Sequence, residues 1–443
     1  MKKRDYLCYL NFYCILLLSI GELIAGLPED CPFSSSKAFA APGQRILEIY
    51  NPAGIREDDV FVDKLLQKTM VELGKTRPPL AGAFPEVSIE QCSIKKDAFE
   101  EINELFYRRG WTDGLPIVPP TKERVREMLR GADLSPDYPV TVLEPMRGRA
   151  TIEKIAVNAV MAGCRPEYMP VLVAAVEAAG DPRLNLQSVA ITTNPDIPML
   201  IVSGPIAKRL HINAGTNALG RGWKANTTIS RALHLIIQNV GGSWPGVTDM
   251  SCLGQPGEIS MMLAENEEAN PWEPFHMDLG YPQAANVVTV IAAEGTHGIV
   301  GIGQDSEGYL KLVADHLAGL ERSRRTSMLL IIAKDTAAML ARDGWTREKI
   351  RKFIGAHARI PFAKYREKFI ATRRAGDVPG WVFDTKDADS MIPVPFMDEF
   401  LILVSGGPGE KSMLVPVWTT SKAVSRTIRL SAGWEALLKE GGD

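Results

Sequence analysis

Three uninterrupted apolar runs limit the fold of this chain most. They are Met199-Leu200-Ile201-Val202-Ser203-Gly204, Met328-Leu329-Leu330-Ile331-Ile332-Ala333 and Phe400-Leu401-Ile402-Leu403-Val404-Ser405-Gly406. A strand covered on both faces has no polar side to alternate with, so it reads as a continuous apolar run. Helical patterns follow the first two, at Ile206–Leu210 and Thr336–Leu340. Strands alternating with helices predict an α/β (or α+β) fold: a mixed sheet with flanking helices. The Ser-Gly endings, and Ser230-Arg231 and Ser425-Arg426 on the helices expected after the first and third runs, suggest internal duplication of a strand-turn-helix unit. The alternative is that buried strands ending in Ser-Gly simply look alike. Further strands are expected at Ser188–Thr192, Ile259–Leu263, Val287–Ala292 and Met413–Val417. Helices are expected at Asp97–Arg109, Thr151–Gly163, Pro166–Ala179, Thr227–Val240, Gly308–Leu320, Arg347–Ile354 and Ala363–Arg374.

At 443 residues the chain exceeds what one core usually organises. It divides into a signal-like leader (1–40), an N-terminal arm (41–95) and two α/β units (96–255 and 256–443). The arm holds a strand at Arg45–Tyr50 and a helix at Asp59–Leu73. The leader opens on Lys2-Lys3-Arg4, runs apolar from Leu7 to Ile20 and reaches an A-x-A site at Ala38-Phe39-Ala40. Glu22, Glu29 and Asp30 interrupt the gap between them. Cleavage would make the protein exported, periplasmic or extracellular; otherwise it is cytoplasmic. No later run reaches the roughly 18 apolar residues a bilayer span needs, so no stable membrane span is expected after cleavage. A net charge of −3 argues against a nucleic-acid partner. Of six cysteines, Cys8, Cys14 and Cys31 fall in the leader, and the remaining three cannot all pair.

The stretch Trp111-Thr112-Asp113-Gly114-Leu115-Pro116-Ile117-Val118-Pro119-Pro120-Thr121 places one carboxylate on a rigid corner between a helix and an extended segment. Asp113 is a candidate general base, against the reading that it only caps neighbouring amides. Cys164, just before the helix expected from Pro166 and beside Arg165, is a candidate nucleophile, since a helix N-terminus stabilises a thiolate. The polar run from Ala264 to His276 lies at a strand end, where α/β proteins place ligands. Its Glu265, Glu267 and His276 suit acid–base work or a metal. No H-x-x-H or H-E-x-x-H supports a metal, and no cofactor is specified. His297, between glycines, is open to a ligand. Asn213, Asn217 and Arg221 sit in a small-residue loop, and Gly406 and Gly407 in a second one that lacks the Walker glycine before Lys411. Both loops are candidates to bind an anionic group. Asn226 is expected to cap the helix beginning at Thr227.

Trp111–Pro116, Val157–Tyr168 and Glu265–Glu268 together resemble a largely uncharacterised bacterial family whose WTDGLPxVPPT motif this chain carries. Some of its members are linked to, or fused with, domains named for a UGSC motif of cysteine or selenocysteine. The likeness runs from about Glu100 to the C-terminus. This chain has no Gly-Ser-Cys, so the resemblance implies that UGSC chemistry would come from a partner subunit. The functional expectation is an enzyme, hydrolase or lyase, acting on a small polar or anionic molecule. Asp113, Cys164, Glu265, His276 and His297 would be its catalytic groups. The alternative is an exported, non-catalytic solute-binding or accessory subunit. A partner subunit or homo-oligomer fits either.

Overall fold

The computed structural model describes residues 45–50, 89–94, 97–320, 326–367, 385, 387, 389–394 and 397–441. The leader, the arm helix expected at 59–73 and residues 368–374 of the helix expected at Ala363–Arg374 lie outside them. Strands β1 (Arg45–Tyr50) and β2 (Ile89–Ile94) pair with each other. Helix α1 (Ala98–Arg108) starts where the Asp97 carboxylate accepts from the amides of Phe99 and Glu100, and Gly110 ends it at φ 64°. Helix α2 (Lys122–Leu129) is capped by the Thr121 hydroxyl. The hairpin β3 (Pro139–Leu143) and β4 (Gly148–Thr151) leads into α3 (Ile152–Ala162), which stops at Gly163 with φ 84°. A 3-10 turn, Pro166–Tyr168, opens α4 (Met169–Ala179), and α5 (Leu186–Ile191) follows.

Next come β5 (Ile197–Ser203), α6 (Ile206–Arg209), α7 (Lys224–Asn239), β6 (Met262–Ala264), α8 (Phe275–Asp278), β7 (Val287–Ala293) and β8 (His297–Val300). Then follow α9 (Ser306–Gly319), β9 (Thr326–Ile332), α10 (Lys334–Arg342), α11 (Arg347–His357), β10 (Arg359–Pro361), α12 (Phe362–Tyr365) and β11 (Met391–Pro393). The chain closes with β12 (Met397–Val404), β13 (Lys411–Pro416), β14 (Val424–Thr427) and α13 (Trp434–Glu440). No helix among the described residues is long and apolar enough to cross a membrane.

Two four-stranded mixed sheets carry the fold, in the orders β14-β7-β5-β6 and β12-β9-β13-β8. They repeat one pattern. A parallel pair (β5 with β6, β9 with β12) is followed by an antiparallel strand (β7 beside β5, β13 beside β9) and then an antiparallel edge. The edges are exchanged. After β7 the chain crosses over and β8 pairs with β13; after β13 it crosses back and β14 pairs with β7. At the crossing Glu294 N donates to Pro416 O and Trp418 N to Ala292 O.

Alternation along the strands sorts the side chains into layers. Met199, Ile201, Leu263, Ile291, Leu329, Ile331, Leu401, Leu403 and Val415 meet in one cluster between the two sheets. Leu200, Val202, Met262, Val288 and Val290 point the other way, into a core shared with α3, α4 and α7. Met328, Leu330, Ile332, Phe400, Ile402 and Val404 pack under α9, α10 and α11. The order is helices, sheet, sheet, helices, so each apolar run is covered on both faces.

The structure revises several expectations. Leu186–Ile191 is helical, not a strand; its buried Leu186, Val189 and Ala190 follow helical spacing that a five-residue reading cannot separate from a strand. Ser425 and Arg426 lie on β14 rather than on a helix. The equivalent of β5 is β9, and that of β12 is β6, so the shared Ser-Gly endings are not what repeats. Helix α7 begins at Lys224, which puts Asn226 inside its first turn rather than at its cap. Strands β6 and β7 lie beyond residue 255 yet belong to the first sheet, so the expected boundary at 255/256 cuts through that sheet.

Candidate functional site

The exchanged sheets bring the C-terminal ends of four strands to one end of the molecule. Glu265 N donates to Val202 O just past β6, and Ser405 N donates to Ile332 O at the matching place past β12, both at 3.0 Å. Asn266 N reaches Val404 O at 2.8 Å, and the Ser405 hydroxyl donates to the carbonyls of Ala264 (2.8 Å) and Ala214 (3.3 Å).

Two loops close over these ends. Residues 213–222 are held by Asn226, which is buried. Its Oδ1 accepts from Asn213 N, and its Nδ2 donates toward the carbonyls of Asn213, Ala218 and Met262. Residues 405–409 meet the first loop where Gly406 N donates to Ala214 O. Gly407 makes that approach possible, since a Cβ there would lie 2.2 Å from the Thr216 hydroxyl and 2.9 Å from its Cα.

Between the loops is a cleft of about 350 Å³. Its polar lining comes from Thr216, Asn217, Ser405, Lys411 and Ser412, with Gly406 and Gly407 supplying backbone. Among the described residues that line it, Lys411 is the one cation and none is acidic. Gly406, Gly407 and Asn217 therefore line one cleft. Asn213 contributes differently: its side chain accepts from Gly215 N and donates to Thr216 O, so it shapes the loop and does not line the cleft. Asn217 likewise donates to Arg221 O. Arg221 is exposed and outside the lining.

Beside the cleft, one residue past the Ala264 carbonyl that Ser405 holds, stands the acidic run. Glu265 and His276 are buried, Glu267 is part-exposed, and one ligand atom from each lies within 4.8 Å of the others. Glu265 Oε1 and Oε2 share the amide of Phe275 at 2.8 Å, and Oε1 also accepts from Asn270 Nδ2 at 2.7 Å. Arg347, from the start of α11, brings its guanidinium to 3.7 Å from Glu265 Oε1. Burial pushes the Glu265 carboxyl up to about 7, against the pull of the Phe275 amide and Arg347. Burial also lowers the Arg347 guanidinium from its ordinary value. Glu267 Oε1 accepts from Gly204 N, and His276 Nε2 faces the carbonyl of Gln283 at 3.2 Å.

The other candidates stand elsewhere. Both carboxylate oxygens of Asp113 are held by Arg231 of α7 at 2.6 and 2.8 Å, and Oδ1 also takes the Leu115 amide. Asp113 thus anchors the proline corner to α7, and as it stands its carboxylate is committed to that pair. Cys164 donates its thiol to Thr228 O at 3.2 Å, and burial pushes the group up to about 12. That is opposite to the thiolate expected from a helix N-terminus: the following turn is a short 3-10 segment, and the sulfur faces a carbonyl oxygen. His297 begins β8. It is exposed, pairs in register with Leu414 and sits against the His316 ring at 5.1 Å.

Sequence reasoning missed Arg347, Lys411, Ser405 and Arg231. Nothing local marks the first or last, because their partners are 82 and 118 positions away along the chain. No family model matches the chain, and a search of curated proteins returns no match.

Proposed function

We propose that the protein is an enzyme that converts a small polar or anionic molecule, by hydrolysis or elimination, at the C-terminal ends of its four parallel-paired strands. The observation that carries the reading is the cleft between the two loops: small, floored by glycine backbone and, among the described residues, lined by one cation and no acid. α/β proteins place ligands outside the carboxyl ends of strands, where loops can vary without disturbing the sheet. Lys411 and the hydroxyl of Thr216 suit a carboxylate or phosphate. The Glu265–Glu267–His276 group stands next to it as the nearest reactive cluster. Asp113 and Cys164 are left outside the reacting set, as supports of α7 and of the corner after α3. The resemblance to the UGSC-linked family adds a partner subunit that would bring cysteine or selenocysteine chemistry.

The test is a conversion screen with purified full-length protein and a panel of small esters, amides, hydroxy acids and phosphates, read by mass spectrometry. Conversion of an anionic compound, with KM raised about tenfold or more in Lys411→Ala, is the expected result; loss of one charge-assisted contact is worth roughly 1.5 kcal/mol or more. Binding at the cleft with no conversion of any compound would replace the enzyme with the solute-binding reading.

A further inference from the structure

His276 is buried completely, and its Nδ1 has no hydrogen-bond partner. Its Nε2 lies 3.2 Å from the carbonyl oxygen of Gln283, which can only accept, so Nε2 carries the ring hydrogen. A neutral ring then presents a bare lone pair at Nδ1. That lone pair faces Glu267 Oε1, 3.9 Å away, and a carboxylate oxygen can only accept as well. Glu265 supplies the third corner, with its ligand atom within 4.8 Å of the other two. With both carboxyls ionised the three groups are acceptors turned toward one another in a largely buried place, where a cation would bind all three. Of the two carboxylates, Arg347 is paired with Glu265, at 3.7 Å, and so offsets one charge.

We propose that Glu265, Glu267 and His276 hold a divalent transition-metal ion of the zinc type. Imidazole and carboxylate are the ligands such an ion takes, and three protein ligands leave a position open for water or substrate. The surroundings are those of a prepared site. A backbone carbonyl sets the His276 tautomer, the Phe275 amide and Asn270 orient Glu265, and the Gly204 amide orients Glu267. Each carboxylate keeps free lone pairs after these bonds, since it has about four. The spacing Glu-x-Glu followed nine positions later by His matches no standard metal motif, so residue type alone pointed to a metal as one of two readings. The inference rests on the same strand-end site as the proposed enzyme. Its readout is metal uptake, so either reading can fail without the other.

The experiment uses the full chain stripped with EDTA, titrated with Zn²⁺ by calorimetry, with bound metal measured after gel filtration. The expected result is one equivalent bound and a raised melting temperature. Glu267→Gln, at a part-exposed position that tolerates the change, should weaken uptake at least tenfold, and His276→Gln should abolish it. His297→Ala breaks the pair of the exposed His297 with the half-buried His316, which could take up zinc adventitiously, and should leave uptake unchanged. No uptake by the wild-type chain, equal uptake by Glu267→Gln, or loss of uptake in His297→Ala would each overturn the proposal.

Discussion

At the scale of single residues, burial decides what each candidate can do. Asp113 and Arg231 are 10 % and 11 % exposed and bonded through both carboxylate oxygens. Removing one partner strands the other charge. Asp113→Asn should therefore cost about 3–5 kcal/mol in urea unfolding, and Asp113→Asn with Arg231→Met should recover part of that loss. A purely catalytic Asp113 would leave the unfolding curve in place. Cys164, with its thiol near 12, has about one thiolate in 10⁴ at pH 8. Iodoacetamide on the native chain should label the exposed Cys252 and spare Cys164, as peptide mapping would show. Asp249 gives the pH test. Burial raises its carboxyl above the ordinary value, so the folded state holds the proton more tightly than the unfolded one. Its contribution is full below the unfolded value, near 4, and is lost as pH rises through the folded one. Asp249→Asn should then be more stable than wild type at neutral pH, with the gap closing in acid; the Asn oxygen can still take the Ser251 amide. The burials of Asp113 and Cys164 could not be read from local sequence, because both depend on α7, 118 and 64 positions along the chain.

At the scale of elements, the sequence read well where local chemistry governs. The helices expected at Asp97–Arg109 and Thr151–Gly163 and the three apolar runs all stand where the side-chain pattern put them. It failed where one short element resembles another, as at Leu186–Ile191, and where a side chain works away from its neighbours. Asn226 is the clearest case: it looks like a cap and instead ties a loop to a strand end. Asn226→Ala would leave the Asn213 amide and the carbonyls of Ala218 and Met262 without that partner in the core. The expected cost is about 1–3 kcal/mol, the desolvation of a stranded polar group. Hydrogen exchange should localise it, with faster exchange at Asn213 and Gly215 and little change in α3. Uniform acceleration across the molecule would mean that Asn226 serves the whole core rather than the cleft loop.

At the scale of the whole molecule, the exchange of edge strands makes two similar sheets dependent on each other. Residues from β5, β6, β7, β9, β12 and β13 share one cluster, and each sheet is completed by a strand from the other half. An unpaired edge leaves a row of amides and carbonyls open, which favours aggregation. The sequence could suggest the repeat but not the exchange, since the links after β7 and β13 look like ordinary hairpin turns. The consequence is measurable. Fragments 97–303 and 304–443 each lack one edge strand, β14 in the first case and β8 in the second. Expressed alone, each should be aggregated or bind hydrophobic dye, despite holding three of the four strands of a sheet. Expressed together, they should form a soluble complex with the far-ultraviolet circular dichroism of the intact chain, because both exchanged pairings can then form. Two fragments that fold independently would mean that each sheet is stable with its edge open, and that the exchange contributes nothing to cooperativity.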